Sequence, residues 1–118
     1  PCLFWASEVT GDPKYREKLR LHILTAMNCV IRPDHSTYHT YFFDPETGEP
    51  VKGVIISNRD GSAWSRGQAW GIYGSALSYH FLKDPAYIDI FRKVTDYFVT
   101  HLPSDLIPYW ILILMTAV

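Results

Sequence analysis

Apolar residues recur at helical spacing in two stretches of the chain. After Pro13, Tyr15, Leu19, Ile23, Ala26 and Val30 fall three or four residues apart, while Lys14, Arg16, Glu17, Lys18 and Arg20 cover the other side. After Pro85, Tyr87, Ile90, Phe91, Val94, Tyr97 and Phe98 repeat the spacing, with Asp89, Arg92, Lys93 and Asp96 facing away. Both patterns predict amphipathic helices, and each opens on an Asp-Pro pair, Asp12-Pro13 and Asp84-Pro85. An aspartate there accepts from free amides of the first turn, and proline at the first helical position loses no bond. Each pair therefore predicts a boundary between two helices, and apolar stretches precede both, at 3–9 and 70–82. The helices are expected to stop at Arg32-Pro33-Asp34 and at Leu102-Pro103, because proline disfavours helix in the residue before it. The whole reads as two units of a repeat of about 70 residues.

The helix before the second Asp-Pro has a different composition. Gly67, Gly71, Gly74, Ser75, Ala76 and Ser78 stand among Trp70, Ile72, Tyr73, Leu77 and Phe81, with no polar face. Interior glycine costs a helix about 1 kcal/mol relative to alanine, so several together imply close backbone packing or room for a ligand. Inner apolar helices alternating with outer amphipathic ones describe an α-solenoid or a closed toroid of helical hairpins. Between the pairs, the β-formers of 37–43, the turn residues of 44–50 and the apolar run of 51–56 predict a β-hairpin. Alternation along its first strand places Thr37, His39, Tyr41 and Phe43 on one face. The fold class expected is all-α, with about two helical hairpins and a small β-hairpin between them.

Composition narrows the function classes. The 118 residues make one domain at most, and 47% hydrophobic with 15% aromatic residues excludes intrinsic disorder. Eleven Lys plus Arg against twelve Asp plus Glu leave a net charge of -1, which gives no field for nucleic acid or an anionic membrane. Cys2 and Cys29 lie far apart without a C-x-x-C spacing, so two buried free thiols in a reducing, cytoplasmic compartment are expected. No basic stretch followed by an apolar run opens the chain, so no signal peptide is read. Residues 106–118 are almost wholly apolar, yet shorter than the roughly 20 residues that span a bilayer, so no membrane segment is read either.

Two places could carry chemistry. His39 is titratable and sits among aromatic residues on a connection, though a histidine bonded to backbone is the ordinary alternative. His35 and His39 have the i, i+4 spacing of zinc helices with Asp34 beside them, but Pro33 and the β-formers argue against a helix there. The second place is Ser62-Ala63-Trp64-Ser65-Arg66-Gly67-Gln68-Ala69-Trp70. Arg66 offers a planar fork to a carboxylate, helix-terminal amides add positive potential, and Trp64 and Trp70 can stack on a pyranose ring. The alternative is that both tryptophans are core and Arg66 pairs with an acid elsewhere. A serine-hydrolase elbow fails, because Ala63 stands where the first glycine of G-x-S-x-G belongs. Asp34, Asp44, Glu46, Glu49 and Asp60 all lie near turns, where acids cap or are solvated, and none shows the pairing a glycosidase needs.

The runs Leu3-Phe4-Trp5-Ala6-Ser7-Glu8, Ser36-Thr37-Tyr38-His39-Thr40-Tyr41-Phe42-Phe43-Asp44-Pro45-Glu46-Thr47-Gly48 and Ser62-Ala63-Trp64-Ser65-Arg66-Gly67-Gln68-Ala69-Trp70-Gly71-Ile72-Tyr73-Gly74 resemble glycoside hydrolase family 88, the unsaturated glucuronyl hydrolases. The Trp-x-Arg-Gly-Gln-Ala-Trp-Gly-x-Tyr-Gly run is specific to it. The resemblance covers Pro1 to about Trp110. It implies a six-hairpin (α/α)6 barrel about three times longer than this chain, which would then be a segment of it. On that basis 1–110 is expected to be the barrel segment and 111–118 an atypical apolar tail.

Such enzymes add water across the vinyl-ether double bond of the unsaturated uronic acid at an oligosaccharide's non-reducing end. They use an aspartate as proton donor and water activator, with no metal or other cofactor. The resemblance places that aspartate a few residues upstream of Pro1, so no catalytic residue is expected in this chain and activity alone is not expected. It makes His39 a polar substrate contact, Trp64 and Trp70 aromatic walls, and Arg66 a binding-site cation. Two stretches depart from it. Val54-Ile55-Ile56-Ser57-Asn58 replaces a Thr-His-Gln-Gly-Tyr-like run whose Gln contacts substrate, and the residues after Pro108-Tyr109-Trp110 are apolar where the family continues acidic and polar. A non-catalytic sugar-binding or interaction module of the same fold is the second reading. Self-association through exposed apolar flanks is expected in either case.

Overall fold

The computed structural model describes residues 2–55 and 62–112. Helix α1 runs Cys2–Thr10 and α2 Pro13–Val30. Strands β1 (Thr40–Phe43) and β2 (Pro50–Val54) follow, then α3 (Ser65–Leu82) and α4 (Ala86–Thr100). Helix α1 packs on α2 and α3 on α4, as two hairpins.

The repeat extends to the caps. The Asp12 carboxylate accepts from the Lys14 amide at 2.9 Å with Pro13 in the first turn, and Asp84 accepts from the Ala86 amide at 2.9 Å. Just before each Asp-Pro, Gly11 (φ 67°) and Lys83 (φ 59°) are left-handed and donate their amides to Ser7 O and Tyr79 O. Those bonds satisfy carbonyls that a helix C-terminus would leave unpaired. Beyond the outer helices, His35 (φ 67°) and Leu106 (φ 62°) close matching turns onto Arg32 O and Pro103 O.

The outer helices bury the expected face: Leu19 on α2, and Tyr87, Val94 and Tyr97 on α4. Helices α3 and α4 approach closely at Gly71, where a Cβ would lie 3.2 Å from Val94 Cγ1 and 3.1 Å from Thr37 Cγ2. The hairpins meet at one end, where Phe4 of α1 stacks on Phe81 of α3 at 4.2 Å between ring centroids and Arg16 Nη2 donates to Phe81 O at 2.7 Å.

The strands pair antiparallel, Thr40 opposite Val54 and Tyr41 opposite Gly53, with an irregularity between Phe42 and Phe43. The strict alternation expected from Thr37 does not hold. Residues 37–39 precede the ladder and are tied down by a bridge between Thr37 and Ile31, the Tyr38 amide bond to Val30 O and the His39 amide bond to Val54 O. Thr37 is buried and His39 exposed, and Thr37, Tyr38 and His39 all line the same cavity.

One further expectation changes. Cys2 is exposed on the first residue of α1 and only Cys29 is half-buried, so the pair of buried thiols is not found. Ile111 and Leu112, counted with the tail in the sequence reading, are both buried. Leu112 packs with Ala63, Tyr97 and Phe98, its amide donates to Ala63 O, and Ile111 bridges Trp64. Residues 56–58 of the departing run, Asp60 and 113–118 lie outside the described residues. Among the described residues no helix is long and apolar enough to cross a membrane.

Candidate functional site

The residues that open α3 are held from both sides. Ser65 donates its amide and its hydroxyl to Trp110 O, at 2.9 and 3.1 Å, which fixes the first turn of the helix beside the 110–112 segment. The other side meets the connection after α2. Arg32 Nη2 donates to Ser62 O at 2.6 Å, and the carboxamide of Gln68, fully buried, donates to His35 O at 2.8 Å and Val94 O at 3.0 Å.

Three of the four candidate residues come together at this junction. The His39 ring lies against Trp64, with centroids 4.8 Å apart and the planes 61° apart, and the Arg66 guanidinium sits over the Trp64 ring at 4.3 Å. His39 Nδ1 is 2.8 Å from Thr40 Oγ1, an exposed contact that leaves the other ring nitrogen for another partner. Trp70 follows on α3, 61% exposed and edge-on to Tyr73 at 6.1 Å. It joins the others through a cavity of about 440 Å³ between α2 and α3, which His39, Trp64 and Trp70 all line.

Trp70 is not core, and Trp64 is half-buried. Arg66 is exposed and, among the described residues, makes no ion pair with a carboxylate. The helix that His35 and His39 would need to share a metal is absent, because residues 31–39 form turns and a bend and His35 is left-handed. Among the described residues no three His, Cys, Asp or Glu stand close enough to hold a metal ion.

Two of the acids, Asp44 and Asp34, are occupied locally. Asp44 accepts from the Thr47 and Glu46 amides, each at 2.8 Å, and these bonds hold its carboxyl below the usual range. Asp34 accepts from the Ser36 hydroxyl and amide. Burial alone would raise its pKa, but the Ser36 bonds and the Arg32 charge outweigh it and hold the carboxyl low. Tyr97, below them, is pushed up by burial and then by the charge of Asp34. No carboxylate lines the cavity among the described residues.

Sequence reasoning passed over three participants. His22 and Tyr38 line the cavity, and Gln68 was visible only as a letter of a motif. A glutamine set into a helix of glycines, serines and apolar residues is itself a signal, since a buried carboxamide must find partners.

No family model matches the chain. A curated unsaturated chondroitin disaccharide hydrolase of Streptococcus pyogenes serotype M1 is 54% identical over 112 residues, a stretch covering 94% of this chain and 28% of that protein. The crystal structure of an unsaturated glucuronyl hydrolase from Streptococcus agalactiae superposes with a TM-score of 0.90 at 50% identity, over 98% of this chain and 29% of that one. This chain matches a segment of the unsaturated glucuronyl hydrolases. A variant of the Streptococcus agalactiae unsaturated glucuronyl hydrolase complexed with dGlcA-GalNAc6S superposes with a TM-score of 0.82 at 50% identity, over 98% of this chain and 31% of that one. Two helical hairpins with a β-hairpin between them are thus a partial (α/α)6 barrel, as the repeat and the motifs implied. The chain spans about 28% of the length of the curated unsaturated glucuronyl hydrolase relatives it matches.

Proposed function

We propose that this chain supplies a sugar-contacting wall of an unsaturated glucuronyl hydrolase, and that its ligand is an unsaturated uronic-acid oligosaccharide such as an unsaturated chondroitin disaccharide. The observation that carries the reading is the cluster at the start of α3, where Arg66 and His39 both contact Trp64. A guanidinium with no ion pair to a carboxylate among the described residues fits the uronate, a half-buried indole fits the apolar face of the sugar, and an imidazole nitrogen fits a hydroxyl. Trp70 extends the aromatic surface along the cavity.

The reaction adds a proton and a hydroxyl across the vinyl-ether bond and needs a carboxyl group to deliver and accept the proton. Asp34 and Asp44 are engaged by their own turns, and the described cavity lining contains no acid, which supports binding without turnover by this chain. The same observation favours a non-catalytic sugar-binding module as the second reading. The test follows the ultraviolet absorbance of an unsaturated chondroitin disaccharide and, in parallel, its binding. The expected result is binding that Arg66→Ala abolishes and no loss of absorbance. Loss of absorbance with this chain alone would put a working carboxylate within it and overturn the reading.

The helical unit that carries this wall extends through Leu112, given the packing of Ile111 and Leu112, rather than ending at 110. Trp5, Leu106, Ile107 and Trp110, each about two-thirds exposed, offer apolar surface for self-association, which sedimentation at rising concentration would show as growing mass.

A further inference from the structure

We propose that Gln68 is a positioning residue for the site: its buried carboxamide docks the connection carrying His39 onto the helix carrying Trp64 and Arg66, and so sets the contact between His39 and Trp64. The functional consequence rests on the reading above, while the geometry stands apart from it. Gln68 lies one helical turn after Trp64 and its amide donates to Trp64 O at 2.9 Å. Its side chain is 0% exposed and spends both N–H donors outside its own helix, on His35 O of the connection and on Val94 O of α4. Among the described residues no other α3 side chain hydrogen-bonds that connection. Four residues after His35 the chain reaches His39, whose own amide is fixed to Val54 O. The connection is thus held to β2 at one end, and to the segment carrying Trp64 by two bonds, from Arg32 to Ser62 O and from Gln68 to His35 O, of which the Gln68 bond is the nearer to His39 in sequence.

A carboxamide in this position is replaceable by shape but not by chemistry. Without its donors, the part-buried carbonyl of His35 loses this partner while that of Val94 keeps its bond within α4, and turning the His35 carbonyl toward water is the least costly relief. That movement carries His39 away from Trp64. The Gln68 oxygen has no partner among the described groups, so the donors alone account for the docking.

The test reads the nuclear Overhauser contact between the His39 and Trp64 rings in folded protein, together with the thermal midpoint. Gln68→Met keeps the volume and removes the donors. The expected result is a folded variant in which the ring contact is lost; a folded variant that keeps it, however destabilised, would overturn the proposal. Gln68→Glu gives a second, independent reading. As a protonated acid it keeps one donor and as a carboxylate none, so the contact is expected to persist at low pH and vanish as pH rises. Wild type over the same range controls for titration of the neighbouring Asp34, His35, His39 and Tyr97 beside Arg32. A contact independent of pH in Gln68→Glu, or failure of both variants to fold at every pH, would show a role in the core instead.

Uronide affinity measured on Gln68→Met is expected to fall about tenfold, the worth of roughly one hydrogen bond. Absence of uronide binding by wild type would sink the functional reading and leave the ring-contact result to decide the positioning claim.

Discussion

Replacing Gly53 by alanine presses on the site from the strand side. A Cβ at Gly53 would meet Cγ, Cδ1 and Cδ2 of Tyr38, with Cδ1 at 2.6 Å, nearer than real Cβ atoms approach. The obstruction is at the root of the ring, so rotation about the Cβ–Cγ bond does not relieve it. Swinging the whole side chain is opposed as well: the Tyr38 amide is bonded to Val30 O at 2.9 Å, the Arg32 guanidinium sits over the ring at 5.2 Å, and Tyr41 touches it edge-on at 5.8 Å. Overpacking of this kind costs about 1–3 kcal/mol. In a chain of this length each kcal/mol lowers Tm by roughly 4 °C. Because Tyr38 lines the cavity beside His39, its displacement is expected to weaken uronide binding too. Chemical denaturation of Gly53→Ala, Tyr38→Ala and the double variant checks both parts. The double variant should lose less stability than the two single losses added together, since removing the ring removes the obstacle. A Gly53→Ala protein within about 0.5 kcal/mol of wild type, with the Tyr38 ring unmoved, would refute the reasoning.

Other outcomes follow from the same contacts. Because the folded pKa of Asp34 is depressed, its stabilisation is present above about pH 4 and disappears as pH falls through the folded value, so Asp34→Asn should lower stability at neutral pH and flatten the acid limb of the stability profile. An acid limb unchanged in that variant would contradict the assignment. Arg66→Lys should lose most of the uronide affinity that Arg66→Ala loses, because an ammonium neither lies flat on Trp64 nor presents a fork to a carboxylate; titration calorimetry of both variants decides it. Leu112→Ala should cost about 2–5 kcal/mol by thermal or urea unfolding, the loss for a buried leucine, whereas a change near zero would mean the segment after Trp110 is not part of the core.

Much of the architecture was legible because the physics that makes it is local. Asp12-Pro13 and Asp84-Pro85 start helices wherever they stand, and the apolar spacing after each could face only one core. Arg66, Trp64 and His39 could be named from side-chain chemistry and motif, but their meeting point depends on the contact between His39 and Trp64, which lie far apart in sequence and which periodicity does not join. The alternation read through Thr37 and His39 failed for the same reason: a strand pattern constrains side chains only where a partner strand completes the ladder, which here begins at Thr40. Ile111 and Leu112 looked like a tail because a run without polar residues gives no period to read. Their place is set by the Leu112 amide bond to Ala63 O and by the Ser65 bonds to Trp110 O just before them, ties between residues far apart in sequence. Gln68 was hidden in plain view, since its role lies in which carbonyls it reaches.

The most direct test of the central claim is a residue-resolved nuclear magnetic resonance titration of this chain with dGlcA-GalNAc6S. The account predicts saturable shifts at His39, at the Arg66 side chain and at the Trp64 and Trp70 indoles. Shifts confined to other surfaces, or no saturable change at these four residues, would contradict it.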